Sequence, residues 1–383
     1  MTGIPERRAI VSGIGISDVG RRLGVPPLEL TVAASREAIE DAGLTTAQID
    51  GIATMGDTPV AEAAAALGIV PVDRGGEVLT GGLLSPLMSA ILAVAEGRAR
   101  HVLVYRTVQM MGGTVMAPPR GGSGSAAGAV MGDMGPLLAA HAYSAANWLA
   151  MHCQRHMHLY GTTTEQLGWL AVTTRAHAAR NALAAYRDPI TLEDHRDARR
   201  VSTPFGLLDC DVPVDGSIAV VVSTSDHAES CPGPPVRIEA IGRAEGAGGW
   251  TGRPDFPKMA SVDAAADLWS RTDLKPSDVD IAQLYDGFTF LTFAWLEALG
   301  LCEEGGAGPF VEGGTRIGLD GELPLNTYGG QLSAGRMHGY WVLHEACMQL
   351  RGDAGDRQVA NRPEVAVVAA GGGPIAGCLL LTR

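Results

Sequence analysis

The stretch Gln283-Leu284-Tyr285-Asp286-Gly287-Phe288-Thr289-Phe290 joins a short apolar segment, residues 279–284, to a helical pattern over residues 290–299. A strand that turns into a helix across a glycine exposes its corner side chains to the cleft of an α/β protein. Tyr285 stands at that corner. A tyrosine there either opens into a ligand site or lies buried with its hydroxyl tied to backbone.

Working outward, strands and helices alternate. Residues 8–15 (RAIVSGIG), 49–55, 101–105 (HVLVY) and 215–223 (DGSIAVVVS) read as short buried strands. Residues 26–43 have helical spacing, with Leu28, Val32, Ile39 and Ala42 on one face and Gly43 to end it. Helices are also expected over 61–68, 77–95, 142–159 and 164–185, the last capped by Thr162 or Thr163. Residues 187–204 read as polar and irregular, and the Gly/Ala/Ser/Met-rich stretch 111–135 as a covering loop. Such alternation implies a parallel or mixed sheet covered on both faces.

The second half repeats the first. At an offset of 230 residues, Ile49-Asp50 falls on Val279-Asp280 and Met55 falls on Tyr285. Gly81-Gly82 before a helix and HVLVY is mirrored by Gly329-Gly330 before a helix and residues 364–370 (EVAVVAA). Two copies of one α/β unit give this pattern: residues 1–235, with a loop insertion at about 106–204, and residues 236–383.

At 383 residues and 46% hydrophobic, the chain has material for two domains or one large α/β body. Its 29 Lys+Arg against 42 Asp+Glu, a net charge of −13, argue against nucleic acid and anionic membrane as partners. No apolar run approaches the length of a membrane span, and residues 1–8 lead into a strand pattern rather than a signal peptide. Cys153, Cys210, Cys231, Cys302, Cys347 and Cys378 are scattered without CxxC spacing, as expected of reduced thiols in a cytoplasmic protein. His152 and His156, one helical turn apart, form with Cys153 and His158 the only metal-like cluster. No carboxylate accompanies them, so an interface or ligand-facing helix is the expectation and no metal is assigned. Neither a GxSxG elbow nor a dinucleotide fingerprint is present.

Four blocks, taken in order, resemble the thiolase superfamily over essentially the whole chain. DGSIAVVVS resembles the strand that closes the family's first half, and LYDGFTF resembles its His-Asp-Ala/Cys-Phe-Thr block. NTYGGQLSAGRMHG (326–339) resembles Asn-x-x-Gly-Gly-x-x-x-x-Gly-His-Pro-x-Gly, and AAGGGPIAG (369–377) resembles the terminal Cys-x-Gly-Gly-Gly. The resemblance implies a thiolase-like fold: two pseudo-repeated α/β/α halves with mixed five-stranded sheets, in five layers. The departures carry the chemistry. Leu79 stands at the nucleophilic cysteine, Ala369 at the basic cysteine, Arg336 at the Gly-His-Pro histidine and Tyr285 at the histidine before Asp-Ala-Phe.

That pattern resembles the lipid-transfer-protein-type branch, the steroid side-chain-cleaving CoA-ester aldolases. The resemblance implies retro-aldol cleavage of a bulky β-hydroxyacyl-CoA to propionyl-CoA or acetyl-CoA and a cyclic ketone. It also implies a DUF35-type zinc-ribbon/OB-fold partner that carries the zinc, and a homodimer that becomes a heterotetramer with it, with no cofactor in this chain. Tyr285 takes the family's base position. A phenolate there at neutral pH requires roughly 4 kcal/mol of help, for which Arg336 is the candidate cation. Tyr340, heading the next helix, is the candidate acid and oxyanion donor, with Tyr328 as competitor and His338 in support. Asp286 is expected to cap the helix after it. The family's other oxyanion tyrosine has no counterpart in residues 247–258 (AGGWTGRPDFPK), where Trp250 either donates its indole N–H or packs the wall. The alternative is a non-catalytic acyl-CoA or lipid-binding scaffold for a partner enzyme.

Overall fold

The computed structural model describes residues 4–56, 58–71, 82–111, 134–245 and 249–383. Its first series is β1 (Ala9–Ile16), α1 (Pro27–Asp41), β2 (Gly51–Thr54), α2 (Val60–Leu67), α3 (Ser85–Ala95) and β3 (His101–Gln109). Two long helices follow, α4 (Ala145–Tyr160) and α5 (Thr164–Ala178), before β4 (Asp215–Thr224) closes the series. The second comprises β5 (Val236–Glu245), α6 (Ala260–Trp269), β6 (Ile281–Leu284), α7 (Thr289–Ala298), α8 (Tyr340–Arg351), β7 (Val365–Gly372) and β8 (Ile375–Thr382).

Strand periodicity sorts the core. Val102 and Val104 of β3 join Val220 and Val222 of β4 in the main apolar cluster with α3. Leu103 and Tyr105 join Ala219 and Val221 in a second cluster under α1 and α2. Both faces are therefore covered, which is why these strands read as continuous apolar runs. The helices α3 and α8, buried on almost every side, form the inner layer. Residues of α8 pack on β1 and β4 of the first half and on β6 and β7 of the second.

The strands run in the order β2-β3-β4-β1-β5-β8-β7-β6. β2 pairs parallel with β3, and β6 parallel with β7; every other pairing is antiparallel. The order reads the same from either edge once each strand is replaced by its repeat, and the halves meet at the Ile10–Arg237 and Val11–Val236 pairs of β1 and β5. Glycine marks equivalent contacts in both. A Cβ on Gly13 of β1 would lie 2.1 Å from the Ala38 carbonyl of α1, and one on Gly242 of β5 would lie 2.1 Å from the Ala264 carbonyl of α6. The 230-residue offset aligns β2 with β6.

Each half contributes four strands to the described sheet, where five were expected. At the second half's edge the fifth is reduced to one parallel bridge, Ala282–Leu325, because the Asn326 side chain takes the next N–H, that of Leu284, at 2.7 Å. Residues 72–81, including Leu79, and most of the 111–135 stretch (112–133) lie outside the described residues. The segment expected to be irregular contains a helix, Leu192–Asp197, started by a capping box in which Thr191 and Asp194 exchange hydrogen bonds at 3.1 and 2.8 Å. Thr163, not Thr162, caps α5, which ends at Ala178 rather than near 185 because residues 185–186 leave to bond the Ser333 and Ala334 carbonyls. Among the described residues no helix is long and apolar enough to cross a membrane.

Candidate active site

Three chain segments are tied together at the carboxyl end of β6. Tyr285 N donates to the Ala369 carbonyl of β7 at 2.9 Å, which holds the corner on the sheet. The Asp286 carboxylate turns inward and accepts from Gln331 N at 2.8 Å, so it anchors the 330–334 turn and does not cap α7 as expected. Asp211 N donates to the Gly287 carbonyl at 3.1 Å, and Arg336 N to the Val212 carbonyl at 2.8 Å. Gly287 is required by proximity: a Cβ there would lie 2.6 Å from the Tyr285 ring.

The segments enclose a cavity of about 540 Å³. Met55, Leu83, Trp148, Trp250, Phe288 and Leu291 supply its apolar wall; Asp211, Tyr285 and Arg336 are its titratable groups among the described residues. An apolar cleft with a few convergent polar groups of altered acidity is the expected form of a small-molecule site. Met55 and Tyr285, paired by the repeat, both line it, so the site lies where the two halves meet.

Burial sets the electrostatics. It pushes the Tyr285 hydroxyl above its ordinary value, with the Asp211 carboxylate adding to the effect and Arg336 opposing it. Arg336, the candidate cation for part of the help a phenolate needs, does pull in that direction, but burial outweighs it. The Arg336 charge is also shared with Asp211, whose carboxylate oxygens accept from Nη1 at 3.3 and 3.4 Å. Asp211 is itself pushed up to about 6 by burial, against the pull of Arg336. Asp286 is pushed up to about 7 by burial, offset in part by the N–H groups of Gln331 and Leu332.

Tyr340, Tyr328 and His338 are not among the residues that line the cavity. Tyr340 is buried at the start of α8, and among the described residues no group accepts from or donates to its hydroxyl. Tyr328 is buried too, stacked at 5.2 Å on Trp341, the residue after Tyr340, with its hydroxyl likewise unpartnered among the described residues. His338 Nδ1 lies 2.6 Å from Arg106 Nη2. A guanidinium only donates, so Nδ1 accepts and the ring proton sits on Nε2. Burial, then the charges of Arg106 and Arg336, hold His338 well below its ordinary value. Trp250 is a wall residue: its ring tilts against Trp148 at 5.0 Å and covers Gly373, where a Cβ would lie 2.3 Å from the indole.

A protein-family model described as thiolase C-terminal domain-like matches residues 244–379. The chain is 35% identical over 389 residues to a steroid side-chain-cleaving aldolase from Thermomonospora curvata, with 97% of both chains covered. It is 34% identical to the 17-hydroxy-3-oxo-4-pregnene-20-carboxyl-CoA lyase of Mycobacterium tuberculosis, over 97% of this chain and 99% of that one. The chain belongs to the thiolase superfamily, in the branch of the steroid side-chain-cleaving aldolases. A solved structure titled Ltp2-ChsH2(DUF35) aldolase matches this superfamily member with a TM-score of 0.89 and 32% identity, covering 99% of each chain.

Against that family background the cysteines matter. All six are free, and burial raises the thiol of each; Cys210, next to the site, is pushed up to about 12. None is set up as the thiolate that acyl transfer in the thiolase fold needs. Ala369, at the second cysteine position, is fully buried in β7. His152 and His156 are also accounted for: His152 faces the Pro257 and Trp250 carbonyls at 2.8 and 2.6 Å, and His156 faces Glu297 at 3.0 Å. Sequence reasoning missed Asp211 and Arg106. The available signals were three aspartates at 209, 211 and 215 in an otherwise apolar run, and a charge ending the buried HVLVY strand.

Proposed function

We propose that this chain is a carbon–carbon lyase that cleaves a bulky, steroid-like β-hydroxyacyl-CoA by retro-aldol chemistry. The products are propionyl-CoA or acetyl-CoA and a cyclic ketone. The observation that carries the reading is one cavity in which a protonated tyrosine and a carboxylate–guanidinium pair face an apolar wall, while every cysteine is held as a thiol. Retro-aldol cleavage needs a base for the tertiary hydroxyl, donors for the thioester enolate oxygen, and an acid for the released carbanion. Tyr285, protonated at neutral pH, suits the donor and acid roles. Arg336 offers a fixed positive charge for the enolate or the CoA moiety.

Tyr340 enters through a different observation. A buried hydroxyl without a partner costs about 1–3 kcal/mol, and donating to a substrate oxygen would relieve that cost. A Cβ on the neighbouring Gly339 would lie 3.9 Å from Leu83, itself a cavity residue. His338, with its proton on Nε2, is a supporting donor in this reading, and Tyr328 a competitor to Tyr340. The chain also works with a DUF35-type partner, on the strength of its likeness to the Ltp2-ChsH2(DUF35) aldolase. A homodimer, a heterotetramer with the partner and zinc in the partner are the finer expectations.

The test is to purify the chain with its partner and supply a tertiary β-hydroxyacyl-CoA. Equal release of ketone and short acyl-CoA is expected. Binding of the thioester without cleavage, partner present, would replace the lyase reading with that of an acyl-CoA-binding scaffold.

A further inference from the structure

We infer that the Asp211 carboxylate is the general base of the cleavage, taking the proton of the substrate hydroxyl, while Tyr285 is the proton donor. The inference rests on the retro-aldol reading above and adds to it a residue that the comparison with cysteine- and histidine-based relatives does not point to.

Position and elimination single out Asp211. Among the described residues, only Asp211, Tyr285 and Arg336 are titratable groups on the cavity wall. A guanidinium stays protonated and cannot be a base, and burial keeps the Tyr285 hydroxyl protonated. Asp211 remains. Its side chain is 10% exposed and meets Arg336 through a single nitrogen, at 3.3 and 3.4 Å to its two oxygens. A carboxylate has about four acceptor positions, so most are left for a substrate hydroxyl. Its backbone N–H, bonded to the Gly287 carbonyl at 3.1 Å, keeps it in register with the Tyr285 corner. Asp286 is the other acidic candidate and fails on geometry. It is fully buried off the cavity wall, with one oxygen on Gln331 N and the other against Gly330.

The step balances without an outside reactant. The hydroxyl proton passes to Asp211, the C–O bond becomes the ketone carbonyl, and the electron pair of the broken C–C bond moves onto the thioester as an enolate. Tyr285 protonates the enolate α-carbon and recovers its proton from Asp211, so both groups end as they began.

The charged and titratable groups around Asp211 are Arg336 from the 330–339 loop, Tyr285 and Asp286 from the β6–α7 corner, and Cys210 on its own segment; Arg106 and His338 lie behind them. A base held near pH 6 gives kcat/KM an acidic limb in that region, with activity lost as the carboxylate protonates. The experiment measures pH–rate profiles of the chain with its partner for the wild type, Asp211→Asn, Asp211→Glu and Arg336→Gln. Asp211→Asn is expected to lose about 100-fold or more in kcat/KM and its acidic limb near 6. Asp211→Glu keeps the limb with partial activity. Arg336→Gln moves the limb upward by about one pH unit, because the opposing positive charge is gone.

Circular dichroism and CoA-thioester affinity, unchanged in Asp211→Asn, separate lost catalysis from lost folding. An Asp211→Asn protein with near wild-type rate, or one that is slow but keeps the same limb, overturns the base assignment. So does an Arg336→Gln limb that stays in place. A wild-type complex that releases no ketone overturns the aldolase reading and this assignment together; an active wild type with an equally active Asp211→Asn overturns this assignment alone.

Discussion

Gly287→Ala tests the corner around Tyr285 without removing any chemical group. The Cβ would stand 2.6 Å from Cε1 of the Tyr285 ring, 3.0 Å from Cζ and 3.1 Å from the hydroxyl oxygen. Ordinary contact begins near 3.4 Å, so the ring edge has to retreat by roughly 1 Å, a misplacement that costs a catalytic group on the order of 100-fold, near 3 kcal/mol of transition-state stabilisation. Gly287 is absent from the residues with positive φ, so alanine brings no backbone strain of its own. The loss therefore belongs in kcat rather than in folding. The assay follows ketone and short acyl-CoA release by the variant with its partner, alongside thermal melts. A variant with wild-type kcat and intact folding would refute the claim that the position of the Tyr285 ring is part of catalysis.

Three further outcomes are expected. Tyr285→Phe and Tyr340→Phe each lower kcat/KM by more than about 100-fold while thioester affinity and urea stability change little; full activity in both, by steady-state kinetics, would remove both tyrosines from the chemistry. Asp286→Asn becomes steadily more stable relative to wild type as pH rises from about 4 to about 7. The folded carboxyl, pushed up to about 7, holds its proton across that window while the unfolded one has released it, so wild-type stability falls by up to about 1.4 kcal/mol per pH unit there. Urea melts at pH 5 and pH 8 measure this, any packing change appears as a pH-independent offset, and a flat difference would contradict it. Brief iodoacetamide treatment at pH 8 leaves activity intact, since a thiol pushed up to about 12, as in Cys210 and Cys302, is thiolate in only about one molecule in 10⁴; rapid, substrate-protected inactivation would mark a reactive cysteine.

The fold was legible because its signals are local. Buried strands, glycine stops and the 230-residue offset can be read from short windows, and the offset reappears as the alignment of β2 with β6. The cavity corner was legible too, since a strand, a glycine and a helix in sequence imply an exposed turn; Tyr285 does line the cavity. What stayed hidden depends on contacts distant in sequence. Nothing near Asp211 announces that it sits beside Arg336, 125 residues away, and that pairing decides whether Arg336 is free to lower the Tyr285 hydroxyl. The direction of the Tyr285 shift depends on burial in the assembled core, which sequence pattern at the corner does not carry. Asp286 misled for a related reason. Its position just before a helix resembles a cap, but the backbone N–H of Gln331 lies closer to hand in the folded chain.

The most direct test of the account is product analysis with the intact chain and its partner acting on a tertiary β-hydroxyacyl-CoA, before and after iodoacetamide treatment. Equimolar ketone and short acyl-CoA, formed at an unaltered rate after the treatment, is the expected result. Free CoA or acyl transfer in place of a ketone, or loss of activity on alkylation, would contradict a carbon–carbon lyase that works without a cysteine.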